Sequence, residues 1–146
     1  MRIWASRQQW QAFLRRCKAA YPNEHCEAVW GEETVDSFRV VRMVRMRLNK
    51  ATSKLIDYDD IETKRQKWAA EQEGLKFLGT VHTHPGKDLD SAPSAFDHHA
   101  CAACERIMGI VNLYKAPDGR RYIVETNWWF PQRKIDIQAS EIPVKA

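Results

Sequence analysis

The stretch that decides the fold is residues 75–85, which read Leu-Lys-Phe-Leu-Gly-Thr-Val-His-Thr-His-Pro. Its first seven residues, Leu75–Val81, are mostly apolar and predict a buried strand. Side chains two apart on a strand point to the same side, so His82 and His84 present two imidazoles to one point. Pro85 follows at once and is expected to break the pairing of the strand. Two nitrogen ligands held in this way suit a tetrahedral zinc ion, with an oxygen ligand as the natural third.

The segment after these histidines offers such an oxygen ligand. A loop leads to a helix predicted from Ser94 to about residue 106, and Asp97 in its first turn can face back toward the histidine pair. Two histidines and one aspartate leave a fourth position for water, as in catalytic zinc sites. Ser94 and Asp97 also have the spacing of an ordinary capping box, and paired histidines are often merely solvated or hydrogen-bonded. Spacing alone leaves both interpretations open.

The remaining sequence predicts helices and strands mixed along the chain, an α/β (α+β) sandwich in a single domain around one sheet. The domain is expected to span residues 1–130 and the C-terminal tail residues 131–146. In residues 38–48 the apolar phase slips at Val40/Val41 and at Met43/Val44, which bulges would explain, while a helix remains open. Two other helices are predicted, one begun by the capping box of Ser6 and Gln9 and ended by Pro22, and one from Asp60 to Gly74. The other predicted strands run from Glu24 to Trp30, from Ile107 to Tyr114, from Arg121 to Glu125 and, in the tail, from Lys134 to Gln138. A turn at Pro117-Asp118-Gly119 joins the second of these strands to the third.

Length and composition exclude several classes of protein. The 146 residues are 44% hydrophobic and 10% aromatic, which suffices for one buried core and excludes a disordered chain. A net charge of +4 is too weak to predict nucleic-acid binding. No apolar run approaches the ~18 residues of a membrane span, and no signal peptide is visible. The protein is therefore expected to be cytoplasmic, with its cysteines, at positions 17, 26, 101 and 104, as reduced thiols.

Three stretches together resemble the JAMM signature of the JAB/MPN metallopeptidases. They are Pro22-Asn23-Glu24, Gly79-Thr80-Val81-His82-Thr83-His84-Pro85 and Pro93-Ser94-Ala95-Phe96-Asp97. The signature consists of a glutamate after the first helix, a distant His-x-His-Pro and then Ser-x-x-Asp. The resemblance extends from the first helix to the hairpin near residue 125 and implies a compact prokaryotic member. It also implies the cytidine-deaminase-like JAB/MPN architecture, a mixed sheet flanked by helices.

The resemblance also implies a role for each matched residue. His82, His84 and Asp97 would bind one zinc ion per chain beside a water molecule. Glu24 would be the general base that deprotonates this water, and later the acid that protonates the leaving amine. Ser94 would donate a hydrogen bond to the tetrahedral oxyanion.

Glu27 competes with Glu24 for the role of the base. The two are three residues apart, so on a strand they face opposite sides and only one can serve. The Pro-x-Glu match favours Glu24. After Glu24 the family usually continues with a Cys-Gly-Leu-rich apolar strand, whereas this chain has His25-Cys26-Glu27, which leaves the packing of Glu27 unexplained.

Further groups of residues each allow a functional and a structural interpretation. Cys101 and Cys104 would be redox-active or bind a second metal, although two small core residues are favoured. A group of arginines forms either a solvated strand face or an electropositive docking surface; its members are Arg39, Arg42, Arg45 and Arg47. The aromatic run Trp128-Trp129-Phe130 forms either a core edge or a partner site.

The resemblance implies hydrolysis of the peptide or isopeptide bond after the C-terminal tail of ubiquitin or a ubiquitin-like protein. Small prokaryotic members are associated with anti-phage conjugation systems, sulfur-carrier processing or phage tail assembly. An E1- or E2-like protein would be the partner in a conjugation system. The alternatives are a non-catalytic scaffold of the same fold and a thiol redox protein built on Cys101 and Cys104. Neither a nucleic acid nor a membrane is expected as a partner.

Overall fold

The computed structural model describes residues 2–46, 61–87, 106–129 and 144–145. Several predictions fall outside these ranges and stay predictions: Ser94, Asp97 and their helix, Cys101 and Cys104, Arg47, Phe130 and the strand from Lys134 to Gln138.

The described elements form one mixed sheet with a helix against each of its faces. The sheet has seven strands in the order β6-β5-β4-β2-β3-β1-β7. The pairs β1–β3, β1–β7 and β4–β5 are parallel, and the other pairs are antiparallel. The predicted α+β class with a mixed sheet is confirmed. The elements are β1 (Arg2–Ser6), α1 (Arg7–Ala20), β2 (Cys26–Glu33), β3 (Ser37–Arg45), α2 (Ile61–Gln72), β4 (Lys76–Pro85), β5 (Ile107–Lys115), β6 (Tyr122–Trp129) and β7 (Val144–Lys145).

Helix α1 begins and ends as its sequence predicts. The Ser6 hydroxyl oxygen accepts a hydrogen bond from the Gln9 amide at 3.1 Å, which satisfies one of the free donors of the first turn. The apolar face buries Phe13 and Cys17 against the sheet. Pro22 follows the last turn and cannot continue the helix.

Strand β3 contains one of the two bulges that the sequence suggested. Trp30 of β2 lies opposite Arg42, but the next residue, Gly31, lies opposite Val40, so Val41 is the extra residue. A Cβ atom on Gly31 would collide with the backbone of β3, so glycine permits the close approach of the two strands. The second slip, at Met43/Val44, falls within regular pairing. Residues 37–45 are a strand, so the alternative of a helix is wrong.

Both faces of the sheet are covered, which explains this second slip. One core cluster includes Phe13 of α1 with Met43 packed against it, and the other includes Ala70 of α2 with Val44 packed against it. Consecutive apolar residues on β3 therefore each meet a core. Trp128 is fully buried in the first cluster, so within the described part of the aromatic run this tryptophan is a core residue.

Helix α2 ends in a Schellman motif that leads directly into β4. Leu75 donates its N–H to the carbonyl of Ala70, and Gly74 donates to Glu71. Gly74 has φ +76°, the left-handed conformation that this motif requires. The predicted glycine cap is therefore confirmed, and it sets the direction of the strand that carries the two histidines.

Strand β4 lies between β2 and β5 and continues through Pro85, which is paired with Leu113. The expectation that Pro85 breaks the pairing is wrong. Thr83 donates its N–H toward β2, and Gly86 donates to the Leu113 carbonyl on β5. Successive N–H groups along a strand point alternately to its two neighbours, so the N–H that Pro85 lacks would point toward β2. Strand β2 begins only at Cys26, opposite His82, so Pro85 costs no bond to β2.

The C-terminal side of the sheet matches the predicted hairpin. Strands β5 and β6 are antiparallel, and Asp118 in the turn accepts hydrogen bonds from the amides of Arg120 and Arg121. At the other edge, β7 pairs with β1. Strand β1 was not predicted, and the division between domain and tail at residue 130 stays a prediction.

Candidate metal centre

His82 and His84 lie at the end of β4 with their ring nitrogens close together. The two Nε2 atoms are 3.3 Å apart, and the ring centroids are 5.1 Å apart. Two nitrogens bound to tetrahedral zinc at about 2.0–2.1 Å lie about 3.3–3.4 Å from each other. The imidazole pair therefore has the separation of two zinc ligands, and it is the part of the predicted donor set that the described residues contain.

Glu24 reaches the same region through the backbone of its neighbour, His25. The His25 N–H donates to the hydroxyl of Thr83, and the His25 carbonyl accepts from the Thr83 N–H, both at 2.9 Å. These bonds extend by one residue the register that places Cys26 opposite His82, and one further residue in the same register puts Glu24 opposite His84. Because residues opposite each other in an antiparallel pair share a face, Glu24 lies on the face of the histidines. Glu24 is buried, with 8% of its surface exposed.

The third and fourth predicted residues, Asp97 and Ser94, lie outside the described ranges. Within those ranges, no group of three His, Cys, Asp or Glu side chains is arranged to hold a metal ion. The structure thus brings together His82, His84 and the backbone of Glu24, and the completion of the site by Asp97 stays a prediction.

Glu27 lies on the opposite face of β2, where its carboxylate is bound by two partners. Arg16 of α1 donates to it from Nε at 2.6 Å and Nη2 at 2.8 Å, and His25 Nε2 lies 2.6 Å from Oε2. Burial alone would raise the pKa of this fully buried carboxyl, but the hydrogen bonds from Arg16 and His25 outweigh it and hold the pKa below its usual value. These contacts explain the packing of Glu27, which the sequence left unexplained.

The cysteines within the described ranges, Cys17 and Cys26, are buried thiols. Burial raises the pKa of the Cys17 thiol, so this residue is protonated and unreactive at neutral pH. Cys26 lies opposite His82, and its thiol donates to the Met46 sulfur at 3.5 Å. These contacts are typical of small core residues.

Two of the arginines on β3 form ion pairs at the surface. Arg42 lies 2.7 Å from Glu73, and Arg39 lies 3.8 Å from Glu32. Such partners favour the interpretation of a solvated strand face over that of a docking surface.

A mixed sheet with a helix on each face, and a His-x-His pair beside a buried glutamate, define a domain of the JAB/MPN type. The chain belongs to the family described as prokaryotic homologs of the JAB domain, whose model matches residues 6–128. The family predicted from the sequence signature is confirmed.

Solved structures of the same fold cover nearly the whole chain. The chain is similar to a protein from Desulfitobacterium hafniense, with a TM-score of 0.70 and 20% identity over 98% of this chain and 92% of that one. A JAB1/MPN domain protein from Archaeoglobus fulgidus is similar over 100% of both chains, with a TM-score of 0.58 and 19% identity. A structure described as a JAMM metalloprotease-like zinc site in the proteasome and signalosome has a TM-score of 0.55 and 18% identity, over 100% of this chain and 98% of that one. At these identities the likeness shows the fold.

No curated protein sequence matches the chain significantly. In the part of the chain that the structure describes, no helix is long and apolar enough to cross a membrane.

Proposed function

We propose that this chain is a zinc-dependent peptidase of the JAMM type. Its substrate would be the peptide or isopeptide bond that follows the C-terminal tail of a ubiquitin-like protein. The observation that carries the proposal is the 3.3 Å separation of His82 Nε2 and His84 Nε2.

The proposed residues divide the reaction between them. His82, His84 and Asp97 hold the zinc ion, and the chemistry that zinc supplies when bound is Lewis acidity, which lowers the pKa of water and polarises the scissile carbonyl. Glu24 takes a proton from the attacking water and transfers it to the leaving amine. Ser94 donates a hydrogen bond to the oxygen on which negative charge develops.

The choice of substrate rests on the family. One similar structure is described as a metalloprotease-like zinc site in the proteasome and signalosome, which supports a ubiquitin-like tail as the substrate class. We place the chain in a bacterial conjugation system, with an E1- or E2-like protein as its partner and anti-phage defence as its setting. Sulfur-carrier processing and phage-tail processing are the alternatives for the same chemistry, and a non-catalytic scaffold is the alternative without it.

The experiment that tests the proposal measures zinc content and cleavage in the same set of proteins. Zinc would be measured by elemental mass spectrometry, and cleavage with ubiquitin-like fusions that carry a C-terminal Gly-Gly tail. We expect one zinc ion per wild-type chain and its loss in His82→Ala. His25→Gln, on the opposite face and still able to bond to Glu27, is the control and should keep the metal.

Glu24→Ala separates catalysis from metal binding. This variant should fold and retain zinc but lose cleavage by a factor of about 10²–10⁴, the usual contribution of a general base. Glu32→Ala, which removes an exposed carboxylate from the strand that follows, β2, should cleave at the wild-type rate. Cleavage by Glu24→Ala at the wild-type rate would refute the assignment of the base. Zinc binding and a stable complex with a conjugation enzyme, without turnover, would favour the scaffold.

A further inference from the structure

Asn112 lies on β5 directly opposite His84 and is almost fully buried, with 3% of its surface exposed. Its side-chain nitrogen donates two hydrogen bonds, to the carbonyl oxygens of His84 and Gly86, both at 2.9 Å. A primary amide has two N–H donors, so this pair of bonds uses its full donor capacity. One side chain of β5 thus holds the backbone on both sides of Pro85.

These bonds act where β4 has fewer neighbours. Strand β2 begins further back along the sheet, so β5 is the paired strand beside the last residues of β4. Pro85 has no N–H to donate, and Gly86 leaves the sheet with φ +145°, a conformation that favours glycine. The ends of strands are prone to fray. The amide of Asn112 therefore adds two bonds at the last residues of β4, beside which β5 is the paired strand.

We propose that Asn112 is a positioning residue for the metal centre, which holds the His84 imidazole at ligand distance from His82. This inference rests on the zinc site of the proposed function. The ring of His82 is fully buried, whereas His84 is only half-buried, so the position of the His84 ring depends more on its own backbone. By fixing the backbone carbonyl of His84, Asn112 restricts where the Nε2 atom of His84 can lie, and it needs no contact with the metal to do so.

The test compares the zinc affinities of Asn112→Asp, Asn112→Leu and the wild type, by competition with a chelator. Asn112→Asp keeps the shape of the side chain but places carboxylate oxygens, which have no proton to donate, beside the carbonyls of His84 and Gly86. Asn112→Leu removes the two N–H donors without adding a charge. We expect zinc to bind about 10-fold or more weakly in both variants, the usual size of an outer-shell effect. The absorption bands of the cobalt-substituted protein, which report ligand geometry, should also shift.

The matched control is Asn127→Asp, the same exchange on the neighbouring strand β6. It should leave zinc affinity and the cobalt spectrum unchanged. If folded Asn112 variants bind zinc like the wild type and give the same cobalt spectrum, Asn112 only supports the sheet and the inference is wrong. Asn112→Leu keeps the test valid if Asn112→Asp does not fold.

A third measurement separates this inference from the proposed function. In the metal-free protein, nitrogen NMR of the imidazoles should show altered His84 signals in the Asn112 variants and wild-type signals in Asn127→Asp. If the wild type binds no zinc, the proposed function fails. The NMR measurement then still tests the inference, and His84 signals unchanged in the Asn112 variants would overturn it. If the wild type binds zinc but cleaves no tail, only the peptidase assignment fails.

Discussion

At the scale of single residues, the hydroxyl of Thr83 accepts a backbone hydrogen bond of the kind that backbone carbonyls accept elsewhere between β2 and β4. Thr83 separates the two histidines, and its Oγ1 accepts the N–H of His25, which is buried. Thr80 on the same strand is equally buried, but its Oγ1 has no hydrogen-bond partner among the described residues. The two threonines thus form a matched pair that differs in one hydrogen bond.

We predict opposite responses when each hydroxyl is replaced by a methyl group. Thr83→Val leaves the buried His25 N–H without its acceptor and should lower the free energy of unfolding by about 1–3 kcal/mol. Thr80→Val removes a buried hydroxyl and should be neutral or stabilising. Thr83→Ser, which keeps the acceptor, should stay closer to the wild type. Urea unfolding of the three variants checks this, and equal losses in the two valine variants would contradict it.

Glu27 shows why a buried charge constrains its neighbours. Its carboxylate is completely buried, and the cost of removing it from water is met by the hydrogen bonds from Arg16 and His25. The same His25 is bonded to Thr83 through its backbone. Arg16 of helix α1 is therefore linked to β4, the strand that carries the histidine pair, through Glu27 and His25.

At the scale of elements, two glycines fix how the strands and helices are joined. Gly31 permits β2 to approach the bulge of β3, and a Cβ atom there would meet backbone atoms, which cannot move aside. Gly74 closes the Schellman motif of α2 with φ +76°, and the space around its Cβ position is open. One glycine is required for space and the other for its backbone conformation.

The two alanine variants should therefore differ in severity. Gly74→Ala should lower the free energy of unfolding by about 1–2 kcal/mol, the cost of a left-handed residue that has a side chain. Gly31→Ala should cost more, because β2 and β3 must move apart at the bulge. Thermal unfolding of both variants measures the difference. A Gly31→Ala protein as stable as Gly74→Ala would show that the bulge can relax.

Local sequence patterns predicted the elements that depend on neighbours in the chain. The caps of α1 and α2, strand β4 and the β5–β6 hairpin all follow from residues a few positions apart. Strand β1 was missed because its short sequence pairs with β3 and with β7, both distant in the chain. The slip at Met43/Val44 gave a false sign of a bulge, since a strand covered on both faces needs no strict alternation.

The same distinction applies to the candidate site. The convergence of His82 and His84 follows from the two-residue period of a strand, and the structure places their Nε2 atoms 3.3 Å apart. The roles of Thr83 and Asn112 could not be predicted, because their bonds cross 58 and 28 positions of the chain. Glu27 gave a usable signal: a charged residue in a strand that should be apolar.

At the scale of the whole molecule, the end of the sheet far from the histidines is held by charges. Glu33, at the end of β2, accepts a hydrogen bond from Lys76 at 2.8 Å and from Arg106 Nη2 at 2.7 Å. These residues lie at the end of β2, at the start of β4 and just before β5. The bond from Lys76, with further help from Arg106, holds the pKa of the Glu33 carboxyl below its usual value.

This shift predicts a dependence of stability on pH. Because the folded pKa of Glu33 is lowered, its contribution is fully present above its unfolded pKa of about 4.3 and is lost as the pH falls through the folded value. Glu33→Gln should lower the free energy of unfolding by about 1 kcal/mol at pH 7 and by less at pH 3. Urea unfolding at several pH values measures this. Glu32→Gln is the control, and an equal acid dependence in Glu33→Gln and the wild type would contradict the prediction.

The hydrogen bonds between strands thus differ in kind at the two ends of the sheet. At the histidines, Thr83 and Asn112 use neutral, buried hydrogen bonds, whereas Glu33, Lys76 and Arg106 form ion pairs that water and salt can reach. Added electrolyte weakens exposed ion pairs and leaves buried neutral bonds largely unaffected. High ionic strength should therefore loosen the sheet from the Glu33 end, while the spacing of the two imidazoles persists until the strands themselves separate.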